Sequence, residues 1–136
     1  EEAPVIDWDK AKVVTEVAPT EEQIASMKFA VRVCEQVKSN AIVMVQGLAT
    51  VGIGPGQTSR VEAVKIAARR AGDRGRGCIL ASDAFFPFKD GIEQSAEAGA
   101  AAIVQPGGSI RDQEVIDEAN SRGISMLFTS HRLFRH

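Results

Sequence analysis

The chain has 136 residues, enough for one compact domain with a real core and too few for two ordinary ones. Apolar residues at 44% and charged residues at 25% match the usual globular mixture, which excludes a disordered or fibrous chain. The formal charge of −2, with basic residues interspersed among Asp and Glu, leaves no electrostatic footprint for nucleic acid.

No apolar run is long enough to span a bilayer, and the acidic opening Glu1-Glu2-Ala3-Pro4 lacks the basic flank and apolar stretch of a signal peptide. The chain therefore reads as cytoplasmic, with no membrane partner. Cys34 and Cys78 lie far apart without Cys-x-x-Cys spacing and read as two buried, reduced thiols.

Residues 1–10 carry Pro4 and a polar Asp7-Trp8-Asp9 cluster without periodicity, which predicts an arm or linker ahead of a domain over 11–136. Lys12 to Val17 is rich in β-branched residues and predicts a strand. Thr20 with Gln23 makes a capping box for a helix whose Ile24, Met27, Val31 and Cys34 form an apolar stripe for the core. Ala41 to Val45 and Ala49 to Ile53 predict adjacent strands joined tightly at Gly47-Leu48.

Thr58-Ser59 can cap the next helix, with Val61, Val64, Ala68 and Ala71 on one side, and the stretch from Gly72 to Gly77 ends it. Arg69, Arg70, Arg74 and Arg76 read as a solvated turn. Cys78 to Ala81 predicts a buried strand, Asp90 to Ala98 a short helix closed by Gly99, and Ala100 to Val104 a further strand. Ser109 or Asp112 then opens a helix through Ser121, and Ile124 to Phe128 is the last strand. This alternation predicts a three-layer α/β sandwich, a central mixed sheet covered by helices on both faces.

Ligands of such sheets gather at loops leaving the carboxyl ends of strands, where helix N-termini offer unpaired N–H groups. The first such loop, Val51 to Arg60, spaces Gly52, Gly54 and Gly56 at alternate positions for close backbone approach, and Arg60 could fork onto a phosphate or carboxamide oxygen; a plain strand-to-helix turn is the alternative. It matches neither the dinucleotide fingerprint nor a Walker loop, which disfavours nucleoside triphosphate hydrolysis. The second, Ser82 to Gly91, crowds Phe85, Phe86 and Phe88 around Pro87. Phe86 and Phe88 read as an apolar plug against the core or a second subunit, and Phe85 and Asp90 as candidates for touching a flat heterocycle. The third, Pro106 to Ser109, could bind an anion or polar edge, with Ser109–Asp112 capping as the default. His131 and His136 sit in the tail, and no His-x-Glu or Pro-Cys-x-x-Cys motif supplies ligands for a zinc deaminase.

Taken together, Lys38 to Ile42, Val51 to Arg60, Ser82 to Gly91, Gln105 to Asp112 and the ending Arg132 to His136 closely resemble the C-terminal half of the formyltransferase region in the bifunctional formyltransferase and inosine monophosphate cyclohydrolase family. The similarity spans nearly the whole chain. It implies a cytidine-deaminase-like fold without zinc, used twice in tandem in the full enzyme, of which this chain is the second copy. The implied reaction moves a formyl group from the cosubstrate 10-formyltetrahydrofolate to the 5-amino group of 5-aminoimidazole-4-carboxamide ribonucleotide (AICAR), without a metal.

By the same resemblance Asn40 and Arg60 hold the nucleotide, Phe85 lies against its imidazole ring and Arg132 binds its phosphate, while Val61, Asp90, Ser109 and Ile110 face the folate. The family's sites are composed at a dimer interface, so a homodimer or a complex with a chain carrying the first half is expected. The family's Lys-His catalytic pair belongs to the first copy and has no counterpart in this sequence, so no catalytic residue is assigned here; His131, next to Arg132, is the local histidine left as a substitute base. The rival reading is a non-catalytic nucleotide-binding or dimerisation module.

Overall fold

The computed structural model of the chain describes residues 6–130. Strands β1 (Lys12–Val13), β2 (Ile42–Gln46), β3 (Ala49–Gly54), β4 (Ile79–Ser82), β5 (Ala102–Gln105) and β6 (Ser125–Phe128) form one six-stranded sheet in the order β1-β6-β5-β4-β2-β3. β4, β5 and β6 run parallel, whereas β1 with β6, β2 with β3 and β2 with β4 are antiparallel, so the sheet is mixed. The helices are α1 (Glu21–Cys34), α2 (Arg60–Ala71), α3 (Asp90–Glu97) and α4 (Asp112–Ser121).

Successive strand residues point to opposite faces, and here both faces are covered. Ile42, Met44, Leu80, Ile103 and Met126 enter a core shared with Val64 of α2, Ile92 of α3 and Val115 of α4. Their neighbours Val43, Val45, Ile79, Ala81 and Val104 enter a second core against Met27, Val31 and Cys34 of α1. The central strands are therefore apolar on both faces over residues 42–45, 79–81 and 102–104, and the layers are α1, the sheet, and α2 with α3 and α4. Among the described residues no helix is long and apolar enough to cross a membrane.

Local signals place most boundaries. The Thr20–Gln23 capping box is formed in both directions, at 2.9 and 3.1 Å, and Ser59 Oγ accepts the Glu62 N–H at the start of α2. Gly47-Leu48 is the two-residue turn between β2 and β3, whose last and first residues, Gln46 and Ala49, pair directly. Ile6 is buried in the α1-side core and the Lys28 ammonium lies 5.8 Å from the Trp8 ring centroid, so this early segment rests against α1. Both cysteines are buried free thiols.

Three sequence expectations need correcting. The strand expected from Lys12 to Val17 pairs only over Lys12–Val13, because Thr15 Oγ1 takes the Met126 N–H at 2.9 Å and the Glu16 N–H turns to the Asn120 side chain. The buried face of α2 is Ala63, Val64, Ala67 and Ala71, with Val61 and Ala68 only half-buried; small residues are needed because the helix lies close on β3. Finally, Arg70 and Arg74 are not merely solvated. Arg70 donates to the Ile53 carbonyl at 2.9 Å, and Arg74 reaches the Ala71 and Arg70 carbonyls, which ties the end of α2 to itself and to the edge strand.

Candidate functional site

Sheet register brings three chain segments to one place. Ile42, the first residue of β2, pairs with Gly54, the last of β3, and with Ser82, the last of β4. The chain leaves Gly54 toward α2 and Ser82 toward α3, so both helix N-termini open at the same end of the sheet. A cleft of about 430 Å³ lies there, lined by Asn40, by residues 58–61 at the start of α2, and by the 84–88 loop with Asp90 and Gly91 of α3.

Two glycines of the first loop serve close approach of the backbone to a helix. A Cβ on Gly52 would strike the Ala67 carbonyl and one on Gly54 the Ala63 carbonyl, so these two positions let the backbone of α2 lie directly on β3. Gly56 instead takes a positive φ of 63° in the turn that follows, and its N–H donates to the Lys38 carbonyl at 2.7 Å. The result is positional: α2 is seated so that its first turn faces the cleft.

The polar wall is built by a chain of side chains. The backbone of Asn40 is held by mutual hydrogen bonds with Gln57, at 3.0 and 3.3 Å. The Arg60 guanidinium donates from Nη2 to Asn40 Oδ1 at 2.7 Å and from Nη1 to Asp83 Oδ1. Ser39 Oγ donates to the other Asp83 oxygen at 2.5 Å. Arg60 is 8% exposed and Asp83 fully buried, and charges so removed from water persist only when paired and hydrogen-bonded. Behind this wall, burial raises the pKa of the Cys34 thiol, and the Asp83 carboxylate adds to that effect.

The aromatic wall divides its phenylalanines. Phe86 is fully buried in the core, with its N–H held by the buried Gln105 Oε1 at 3.1 Å. Phe85, one residue earlier, is half-buried on the cleft wall. The plug expected of Phe88 is not made within this subunit: its ring is 50% exposed and lies under the Arg111 guanidinium at 5.2 Å, because Arg111, at the start of α4, offers a cationic partner that stays in water.

Of the residues singled out from the sequence, Asn40, Arg60, Val61, Phe85 and Asp90 line the one cleft. Ser109 and Ile110 do not; Ile110 is wholly exposed. Their loop is joined to the cleft rim through Arg111 on Phe88 and through Glu114, which accepts the Lys89 N–H at 3.0 Å. The N–H groups of Gly108 and Ser109, which suggested an anion site, are held by the Asp112 carboxylate at 2.8 and 3.0 Å. Arg132 and His131 lie outside the described residues. Sequence reasoning did not select Ser39 or Asp83; the available signal was an acidic residue directly after the buried strand Ile79–Ser82.

The cleft thus presents a planar cationic donor, an amide, an aromatic face and, at Asp90, a carboxylate, beside the first turns of two helices. Such groups together can hold a flat, hydrogen-bonding ring. Among the described residues no three His, Cys, Asp or Glu side chains are grouped to hold a metal ion.

The class of fold is shared with RibD of Acinetobacter baumannii, one form of which superposes with a TM-score of 0.54 at 14% identity, over 79% of this chain and 34% of that one. At that identity the likeness speaks for the fold alone. Sequence goes further: the model of the AICARFT/IMPCHase bienzyme family matches residues 1–70. The bifunctional purine biosynthesis protein PurH of Acetivibrio thermocellus is 53% identical over 132 residues, covering 97% of this chain and 26% of that protein. PurH of Anoxybacillus flavithermus is 53% identical over 136 residues, covering 100% and 27%. The chain belongs to the AICARFT/IMPCHase bienzyme family, and it spans about a quarter of the length of the curated relatives it matches.

Proposed function

We propose that this chain is the C-terminal half of the family's formyltransferase region, a cytoplasmic, cytidine-deaminase-like domain that supplies binding groups to a shared active site. The reaction moves a formyl group from 10-formyltetrahydrofolate to the 5-amino group of AICAR. The observation that carries this reading is the gathering of Asn40, Arg60, Val61, Phe85 and Asp90 around one cleft, from segments as far apart as residues 40 and 90.

In this reading Phe85 lies against the imidazole ring, Asn40 and Arg60 hold the nucleotide's polar edge, and Arg132 takes the phosphate as a charge-assisted fork. Val61 and Asp90, with Ser109 and Ile110 from the neighbouring loop, face the folate. The attacking amine is conjugated with the ring and carboxamide and is a poor nucleophile, so a base must remove its proton as the C–N bond forms. The family's Lys-His pair would do so from a second chain or from a preceding copy, and the active unit is a dimer or a complex with that half.

Calorimetric titration with AICAR, with and without an added first-copy domain, tests the proposal, together with formyl transfer in the mixture. Binding and turnover that appear on mixing support it. Neither histidine of this sequence, His131 or His136, follows a lysine, which favours as second reading a binding or dimerisation module. That reading predicts affinity or association without turnover whatever is added.

A further inference from the structure

We propose that Asp83 is the positioning residue of this cleft: it fixes the plane of the Arg60 guanidinium and, through it, the Asn40 amide. The inference rests on reading the cleft as a ligand site. Asp83 is fully buried and is not part of the cleft lining, whereas Arg60 and Asn40 are, so Asp83 acts on a ligand only through the groups it holds, of which Arg60 is the one that reaches the cleft by its side chain.

The geometry is that of an orienting clamp. Asp83 follows the last residue of β4, and its N–H donates to the Ala41 carbonyl at 3.3 Å, so its backbone is anchored to the segment that carries Asn40. One carboxylate oxygen receives Arg60 Nη1 and the other receives Ser39 Oγ at 2.5 Å, which leaves the carboxylate little freedom to turn. Arg60 in turn begins α2, whose first turn is fixed by the Ser59 cap. A guanidinium carries its N–H donors in one rigid plane. With Nη1 held by Asp83 and Nη2 held by Asn40 Oδ1 at 2.7 Å, that plane is set before any ligand arrives.

Stability alone is a poor reason for such a pair. Replacing a buried ion pair by apolar residues of similar volume is often neutral or stabilising. Placing a donor plane and an amide oxygen in advance, by contrast, lowers the ordering cost of binding and fixes which ligand edge is accepted. Asp83 and Ser39 are therefore assigned to orientation, and Arg60 and Asn40 to contact.

The test is an arginine-labelled ¹⁵N spectrum of the full chain at low temperature, with the Arg60 side-chain signals identified by their loss in Arg60→Ala. Wild type is expected to show resolved Nη protons for Arg60, and Asp83→Asn to collapse them by freeing rotation. AICAR affinity is expected to fall about tenfold in Asp83→Asn, a loss of one charged hydrogen bond, with no further fall when Asp83→Asn is added to Arg60→Ala. Unresolved Arg60 signals in wild type, signals unaltered by Asp83→Asn, or losses that simply add would overturn the proposal. Should Asp83→Asn not fold, Ser39→Ala decides: broadened Arg60 signals support the clamp and unchanged ones refute it. If Arg60→Ala leaves AICAR affinity untouched, the nucleotide reading of the cleft fails, while the spectra still decide the clamp.

Discussion

The ring of Phe86 occupies the space that a side chain on Gly91 would need: a Cβ built there would collide with ring carbon Cδ1 and lie 2.8 Å from Cε1. Gly91 sits in the first turn of α3, where alanine is ordinarily the better helix former by about 1 kcal/mol. Here the sign reverses. Gly91→Ala is expected to destabilise the fold by about 1–3 kcal/mol through overpacking, because Phe86 is fully enclosed and cannot swing away. Urea denaturation measures this, and a stability equal to or above wild type would show that the ring is not confined.

Gly54 carries the same logic to the other wall. With the Ala63 carbonyl where its Cβ would be, Gly54→Ala must lift the N-terminal half of α2 from β3. The expected result is a loss of about 1–3 kcal/mol together with a change in the Arg60 environment, since Arg60 begins that helix. Gly47 serves as the contrast: its φ is 58°, but nothing lies within 4 Å of the point a Cβ would occupy. Gly47→Asn is expected to change stability by only a few tenths of a kcal/mol, because asparagine tolerates the left-handed region. Equal losses at both positions would contradict the packing account.

What could be read from the chain in advance follows the range of the interactions. The Thr20–Gln23 cap and the Gly47-Leu48 turn are made by neighbours in sequence, and short local motifs sufficed to place them. The alternation of Ile42 and Met44 with Val43 and Val45 between two cores left only a continuous apolar run, which marks a strand covered on both faces. The Arg60–Asp83 pair is invisible to such reasoning because sheet register, not local pattern, joins the two residues. Phe86 and Phe88 look alike in sequence and differ only because one meets Gly91 and Gln105 while the other meets Arg111.

Gln105 anchors the aromatic loop from below. It is 1% exposed, and its Oε1 accepts the Phe86 N–H while its Nε2 lies 3.3 Å from Met126 Sδ. Gln105→Leu keeps the volume and removes the acceptor, leaving a buried N–H unsatisfied. A loss of about 1–3 kcal/mol is expected, with faster hydrogen exchange at Phe86 than at strand amides of β4. Unchanged exchange at Phe86 would mean that another group satisfies it.

Phe85 and Phe88 separate ligand contact from surface packing. Phe85 lines the cleft half-buried, whereas Phe88 also borders it but has half its surface in water beneath Arg111. Phe85→Ala is expected to weaken AICAR binding by about 1–3 kcal/mol, the range for an aromatic face stacked on a base. Phe88→Ala should cost less than half of that. The calorimetric comparison is direct, and equal losses would remove Phe85 from its assigned place under the ring.

Proton linkage at the two thiols gives the last prediction. Burial pushes the Cys78 thiol up to about 12 and raises that of Cys34 as well, the Asp83 carboxylate reinforcing the effect at Cys34. In the unfolded chain both ionise near the ordinary value of about 8.5. Above that pH the folded state holds more protons than the unfolded one, so stability falls as pH rises. The full contribution is present below about pH 8.5 and is lost progressively toward about 12, with each thiol adding a slope of up to about 1.4 kcal/mol per unit. Urea midpoints at pH 7.5, 9 and 10 should decline in wild type and decline less in a Cys34→Ala, Cys78→Ala double variant. A pH dependence identical in the two proteins would show that the thiols ionise equally in the folded and unfolded chains.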